Sequence, residues 1–130
     1  MEYTFDENQL NKIENVFQEE LLPLGLHVVI LIDMAGNVIV ESNNGKMKHD
    51  IYSLAALAAG NFGAVSAMAQ MVGEKDFSLL FHKGENECIH FSKVETDFLL
   101  VTIFDHEISL GFLRLKVAES IAKIEKILGL

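Results

Sequence analysis

Leu10, Ile13, Phe17 and Leu21 recur at helical spacing behind Thr4 and Glu7, whose separation matches a capping box. A first helix is therefore expected to begin at Thr4 and to end near Pro23-Leu24-Gly25. His27 to Asp33 (HVVILID) is instead an unbroken β-branched run, the pattern of a strand buried on both faces. Met34-Ala35-Gly36-Asn37 supplies a hairpin turn with Gly36 at positive φ, and Val38 to Ser42 returns as a strand that soon turns polar. Ser42 to Lys48 reads as loop, and Asp50 as the N-cap of a long helix over Ile51 to Gly73. Three strands follow, at about Phe77–His82, Cys88–Lys93 and Phe98–Phe104, joined by Lys83-Gly84-Glu85-Asn86 and Val94-Glu95-Thr96-Asp97. A helix from Ser109 or Leu110 to Leu128 closes the chain, with Leu113, Val117, Ile121, Ile124 and Leu128 as its stripe.

The order helix, two strands, helix, three strands, helix predicts an α+β domain over residues 1–130 with one five-stranded sheet. Short connections demand antiparallel neighbours. The first and last strands are the most two-sided and belong in the centre, the second and third at the edges, which gives the order 2-1-5-4-3. Covering both faces takes the long helix on one side and the terminal helices on the other. FSLLF, on the third strand, is apolar and lacks a proline or dense charge to blunt it, so it invites strand addition across a two-fold axis.

The long helix departs from the usual single apolar stripe. At about 100° per residue, Ile51, Leu54, Ala58, Phe62, Val65, Met68 and Val72 share one arc. Ala56, Ala59, Gly60, Gly63 and Ala67 share the opposite one, which suits close approach by a second body. A homodimer is therefore expected, its interface formed by those five residues with Phe77, Leu79 and Phe81 of the open edge. A third arc holds Ser53, Leu57, Gly60, Ala64 and Met71, where Leu57 and Met71 suit an interaction surface.

Composition trims the alternatives. A membrane span is disfavoured because the uncharged segment is mostly Ala and Gly, carries Tyr52, Ser53, Asn61, Ser66 and Gln70, and has no clear positive flank. The net charge of -9, from 19 acidic and 10 basic residues, argues against nucleic acid and anionic lipid as partners. The acidic start MEYTFDENQL and the single cysteine, Cys88, lead us to expect a cytoplasmic protein.

Sites for chemistry are few. Asp33-Met34-Ala35-Gly36 resembles the DxxG element of GTPases, but no GxxxxGK[ST] loop accompanies it. Gly60-Asn61-Phe62-Gly63 lies within a helix rather than after a strand, unlike a dinucleotide fingerprint. His82, Cys88 and His90 lie on neighbouring strands without a metal-ligand spacing, and only Cys88 and His90 must share a face. No nucleophile, base and orienter set is visible, so no enzymatic activity, metal or cofactor is expected.

HVVILIDMAGNVIVES, the alanine-rich IYSLAALAAGNFGAVSAMAQ helix, FSLLFHKGE and FLLVTIFDHEISLGFLRLKV together resemble the roadblock family of dynein-light-chain-like domains, closest to its bacterial polarity-protein members. The resemblance runs from about His27 to the end of the chain. It implies a five-stranded antiparallel sheet with helices on both faces, and dimers joined third strand to third strand with the long helices packed together. It also implies a platform for a small Ras-like GTPase, of the kind that stimulates GTP hydrolysis in its partner and serves polarity or motility. The chain's single arginine, Arg114, falls inside the last helix, which favours reshaping of the partner over an inserted arginine finger. Two other roles compete: a small-molecule sensor of PAS- or GAF-like architecture, and a structural light chain without effect on nucleotide turnover.

Overall fold

The computed structural model describes residues 4–46, 49–77 and 80–130. Helix α1 (Glu7–Val16) leads through a π-helical turn (Phe17–Leu21) and a short 3₁₀ turn (Leu22–Leu24) into β1 (Val28–Asp33) and β2 (Val38–Asn43). Then come α2 (Ile51–Met71), β3 (Leu80–Lys83), β4 (Cys88–Val94), β5 (Phe98–Phe104) and α3 (Leu110–Leu128). The strands form one antiparallel sheet in the order β2-β1-β5-β4-β3, as the apolar pattern predicts.

Side-chain alternation explains why β1 and β5 carry no polar stripe. Val29 and Leu31 of β1 join Leu100 and Phe104 of β5 beneath α1 and α3, against Ile13, Phe17, Leu113, Val117 and Ile124. Val28, Ile30 and Ile32 join Leu99, Val101 and Ile103 on the other face, against Ile51, Ala55, Ala58 and Phe62 of α2. Both layers are filled by side chains, with Ile51, Ala55, Ala58 and Phe62 carrying α2 onto the sheet.

Three boundaries differ from expectation. Helix α1 is capped by Asp6, not Thr4: Asp6 Oδ1 accepts the Gln9 N–H at 2.8 Å and Gln9 Oε1 accepts the Asp6 N–H at 2.9 Å. The reciprocal pair is a capping box displaced by two residues, with glutamine in the closing role. Helix α2 ends at Met71, where the chain turns out through Val72 and Gly73. Strand β3 begins, among the described residues, at Leu80 and runs to Lys83; Phe77 precedes it, while Ser78 and Leu79 lie outside the described residues. The apparent DxxG element is the β1–β2 hairpin. Asp33 Oδ1 accepts the backbone N–H groups of Ala35 and Asn37, and Oδ2 accepts from the Asn37 side chain. Burial pushes the Asp33 carboxyl up, but these bonds outweigh it and hold it below the usual range.

Candidate functional site: the outer face of the long helix

Helix α2 is positioned from both ends of the sheet. Asp50 caps it, with Oδ1 accepting the Ser53 N–H at 3.2 Å and Oδ2 the Ser53 hydroxyl at 2.7 Å. At the other end of the sheet the β1–β2 turn presses on the helix: a Cβ added to Gly36, which has φ of 89°, would lie 2.8 Å from the Ala56 Cα. Asn61 reaches His82 of β3 at 3.3 Å, so α2 also flanks the free edge of the sheet.

The arc turned to the sheet consists of Ile51, Ala55, Ala58, Ala59, Phe62 and Ala69. Two expectations are corrected here. Met68 and Val72 face solvent rather than the core, and Ala59, expected on the opposite arc, is only 7 % exposed. Bulk is a poor guide to the inner arc of this helix, because alanine at Ala55, Ala58 and Ala69 is what lets the backbone sit close to the sheet. The core arc then centres about 120° away from Met68.

The remaining small residues of the expected dimer face, Ala56, Gly60, Gly63 and Ala67, are exposed. A Cβ added to Gly60 or Gly63 would meet nothing within 4 Å. The fold of a single chain therefore does not require these two glycines, each of which costs a helix about 1 kcal/mol relative to alanine. Ser53, Leu57, Gly60, Ala64 and Met71 are exposed as well, Leu57 at 73 % and Met71 at 86 %. Tyr52 (76 % exposed) extends this uncharged surface, although in the sequence it reads only as a polar interruption. Length and composition alone would let α2 cross a membrane, but its inner arc is committed to the sheet.

The edge residues do not converge with that face. Phe77 is exposed ahead of β3, and Leu79 lies outside the described residues. Phe81 is half-buried on the α3 side of the sheet, stacked on Phe104 with ring centroids 6.0 Å apart. Strand addition at β3 would use its backbone, and so does not need these side chains to meet α2.

Beside Ser53 and Leu57, a groove of about 470 Å³ runs between α2 and the sheet, floored by Leu54, Ile89 and Ile103 and rimmed by His49, Asp50 and Glu87. One end of this rim belongs to a charged cluster. His27 Nδ1 lies 2.8 Å from Glu87 Oε2, His27 Nε2 lies 3.1 Å from Asp105 Oδ2, and His49 Nε2 lies 3.1 Å from Glu87 Oε1. The Glu87 bond raises the affinity of His27 for its proton above the ordinary value, against the opposing effect of burial and with help from Asp105. The same bond holds Glu87 below its usual range. Sequence reasoning missed this cluster because its members lie just before β1, α2 and β4 and just after β5, with no local motif to join them.

The other residues weighed for chemistry are scattered. His82 projects to the α2 side, where it meets Asn61 and the edge of Phe91, whereas Cys88 and His90 are buried on the α3 side. Burial pushes His90 down to about 4, with Arg114 adding to the effect. Arg114 is exposed on α3 and shares a cavity with His90, Val117 and, from α2, Phe62.

The Roadblock/LC7 domain family profile matches residues 12–104, and the chain belongs to that family. Among solved structures it is similar to the gliding protein MglB from Thermus thermophilus, at 26 % identity and a TM-score of 0.85, covering 98 % of this chain and 95 % of that one. It is similar to Myxococcus xanthus MglB at 29 % identity and a TM-score of 0.82, covering 97 % and 93 %. An MglB in a tetrameric arrangement matches at 26 % identity and a TM-score of 0.87, covering 98 % and 94 %. A search of curated proteins finds no match.

Proposed function

We propose that this protein is a homodimeric, non-enzymatic regulator of a small Ras-like GTPase of the MglA type, acting in the cytoplasm in cell polarity or motility. The observation that carries the reading is the outer face of α2, an uncharged surface with Tyr52, Leu57, Met68 and Met71 all exposed. A soluble domain leaves so continuous an apolar helix face open only where something docks. Gly60 and Gly63 suit a closely approaching second helix, and the free edge of β3 suits strand addition by a second copy. The tetrameric arrangement of an MglB relative supports self-association as a property available to such domains.

The arc Ser53, Leu57, Gly60, Ala64 and Met71 is the surface we assign to the GTPase. A negative net charge favours a partner with a basic or mixed surface. Activation proceeds by reshaping the partner's own site. The placement of Arg114 within α3 rather than on a loop supports this over an arginine finger, which must reach the transferred phosphoryl group directly. The test is the GTP hydrolysis rate of the small GTPase with and without this protein. Acceleration lost in Leu57→Asp is the expected result; no acceleration together with no nucleotide-dependent binding would refute the reading and favour a purely structural light chain.

A further inference from the structure

The cluster at the end of the sheet has a stoichiometry that depends on one proton. His27 is flanked by two carboxylates, one at each ring nitrogen, and a carboxylate only accepts. Imidazolium donates through both nitrogens and satisfies Glu87 and Asp105 together. Neutral imidazole has a single N–H, so one nitrogen must then turn a lone pair towards a carboxylate. We propose that His27 is a proton-operated latch on the approach to α2: charged, it fixes Glu87, and through Glu87 it holds His49 and the first turn of α2 against the sheet; neutral, it releases one of its two carboxylates and loosens that tie.

The connections follow from the geometry. Glu87 opens the way into β4 and shares its carboxylate between His27 on one side and His49 on the other. His49 immediately precedes the N-cap Asp50, whose carboxylate is occupied by Ser53. Asp105 is the more independently anchored of the two carboxylates, because it also accepts the Glu107 N–H at 2.9 Å. The Glu87 contact is the shorter of the two, so neutral His27 keeps its one N–H for Glu87 and gives up Asp105, and the Glu87 tie weakens from an ion pair to a neutral hydrogen bond. The other charged groups nearby do not replace it. His106 points its Nε2 at the Gly84 and Glu85 carbonyls, and Lys83 shares the cavity on the α3 side with Asp105 rather than with Glu87. That weakening loosens Glu87 at the rim of the groove beside Ser53 and Leu57, so the device regulates access to an exposed surface of α2. It is a property of the chain alone and stands whether or not a GTPase is the partner.

Histidine changes charge in the range where cells vary pH, so the latch can be read with the purified wild-type protein. Nuclear magnetic resonance titration of the His27 ring should give a midpoint above the ordinary histidine value, falling towards it in Glu87→Gln. Hydrogen exchange over residues 49–57, corrected for intrinsic rate, should be several-fold faster at about pH 8 than at about pH 6. In His27→Gln, which leaves the His49–Glu87 pair in place, that pH dependence should vanish. A His27 midpoint at or below the ordinary value overturns the proposal. So does an exchange ratio unchanged in His27→Gln, even where His27 of the wild type titrates as expected.

Discussion

Helices α2 and α3 are similar in length and lie on opposite faces of one sheet, yet they treat solvent differently. Helix α3 buries Leu113, Val117 and Ile124 and turns Arg114, Glu119 and Lys123 outward, with Lys123 paired to Glu20 and Lys116 to Glu119. Phe112 and Leu115 are the large apolar side chains it leaves exposed, set among those charges. Helix α2 has an inner arc as well buried as that of α3, but its outer side holds no charge and exposes Tyr52, Leu57, Met68 and Met71. The difference separates what folding requires from what assembly requires. One helix face is spent on the core in each case; the second face of α2 is not used by the fold of the single chain.

The comparison can be broken most severely from the inside. Leu113→Ala removes a fully buried side chain beneath α3 and should lower unfolding free energy by about 2–5 kcal/mol in urea titration. Self-association of the folded fraction should be unchanged. Next in size is the pH response of His90, buried beneath the same helix. Below 6.5 the unfolded chain takes up a proton that the folded His90 refuses until about pH 4, so stability falls as pH drops through that window. The loss should reach about 3 kcal/mol and disappear in His90→Leu, as measured by denaturation at a series of pH values. His27 has the opposite sign. Its raised proton affinity contributes stability that is present below 6.5 and lost as pH rises through the folded value, so the two histidines should give slopes of opposite direction.

Changes on the outside of α2 should leave folding alone. Gly63→Leu places a side chain in open space in the single chain and replaces a poor helix former with a good one, so thermal stability of the monomer should hold or rise slightly. The same change should weaken dimerisation by about 1–3 kcal/mol through overfilling of a close helix contact, measured by sedimentation. Leu57→Asp should shift unfolding free energy by no more than about 0.5 kcal/mol while abolishing the response of the GTPase.

How much of this was legible in the sequence depends on how local the signal was. The unbroken apolar runs of β1 and β5 announced two-faced burial, and with it the strand order and the two helical layers. Asp50 and Ser109 announced helix starts because a cap acts within one turn. The start of α1 was misplaced because a glutamine in the closing position forms the same box two residues on. The inner arc of α2 was misjudged at Met68 and Val72 because side-chain bulk stood in for proximity, whereas the alanines do the close packing. The His27, His49, Glu87 and Asp105 cluster was invisible because its members are brought together only by the sheet. Arg114 was placed correctly within its helix, but the cavity it shares with His90 and Phe62 could be known only from the fold.

The central claim is that the outer face of α2 is covered in the working molecule, first by a second copy of the chain. Sedimentation equilibrium of the wild-type protein at micromolar concentration tests it directly, with Gly63→Leu run alongside. The expected result is a species of twice the 14.5 kDa chain mass for the wild type, shifted towards the monomer in the variant. A wild-type protein that sediments as a folded monomer of 14.5 kDa would contradict it.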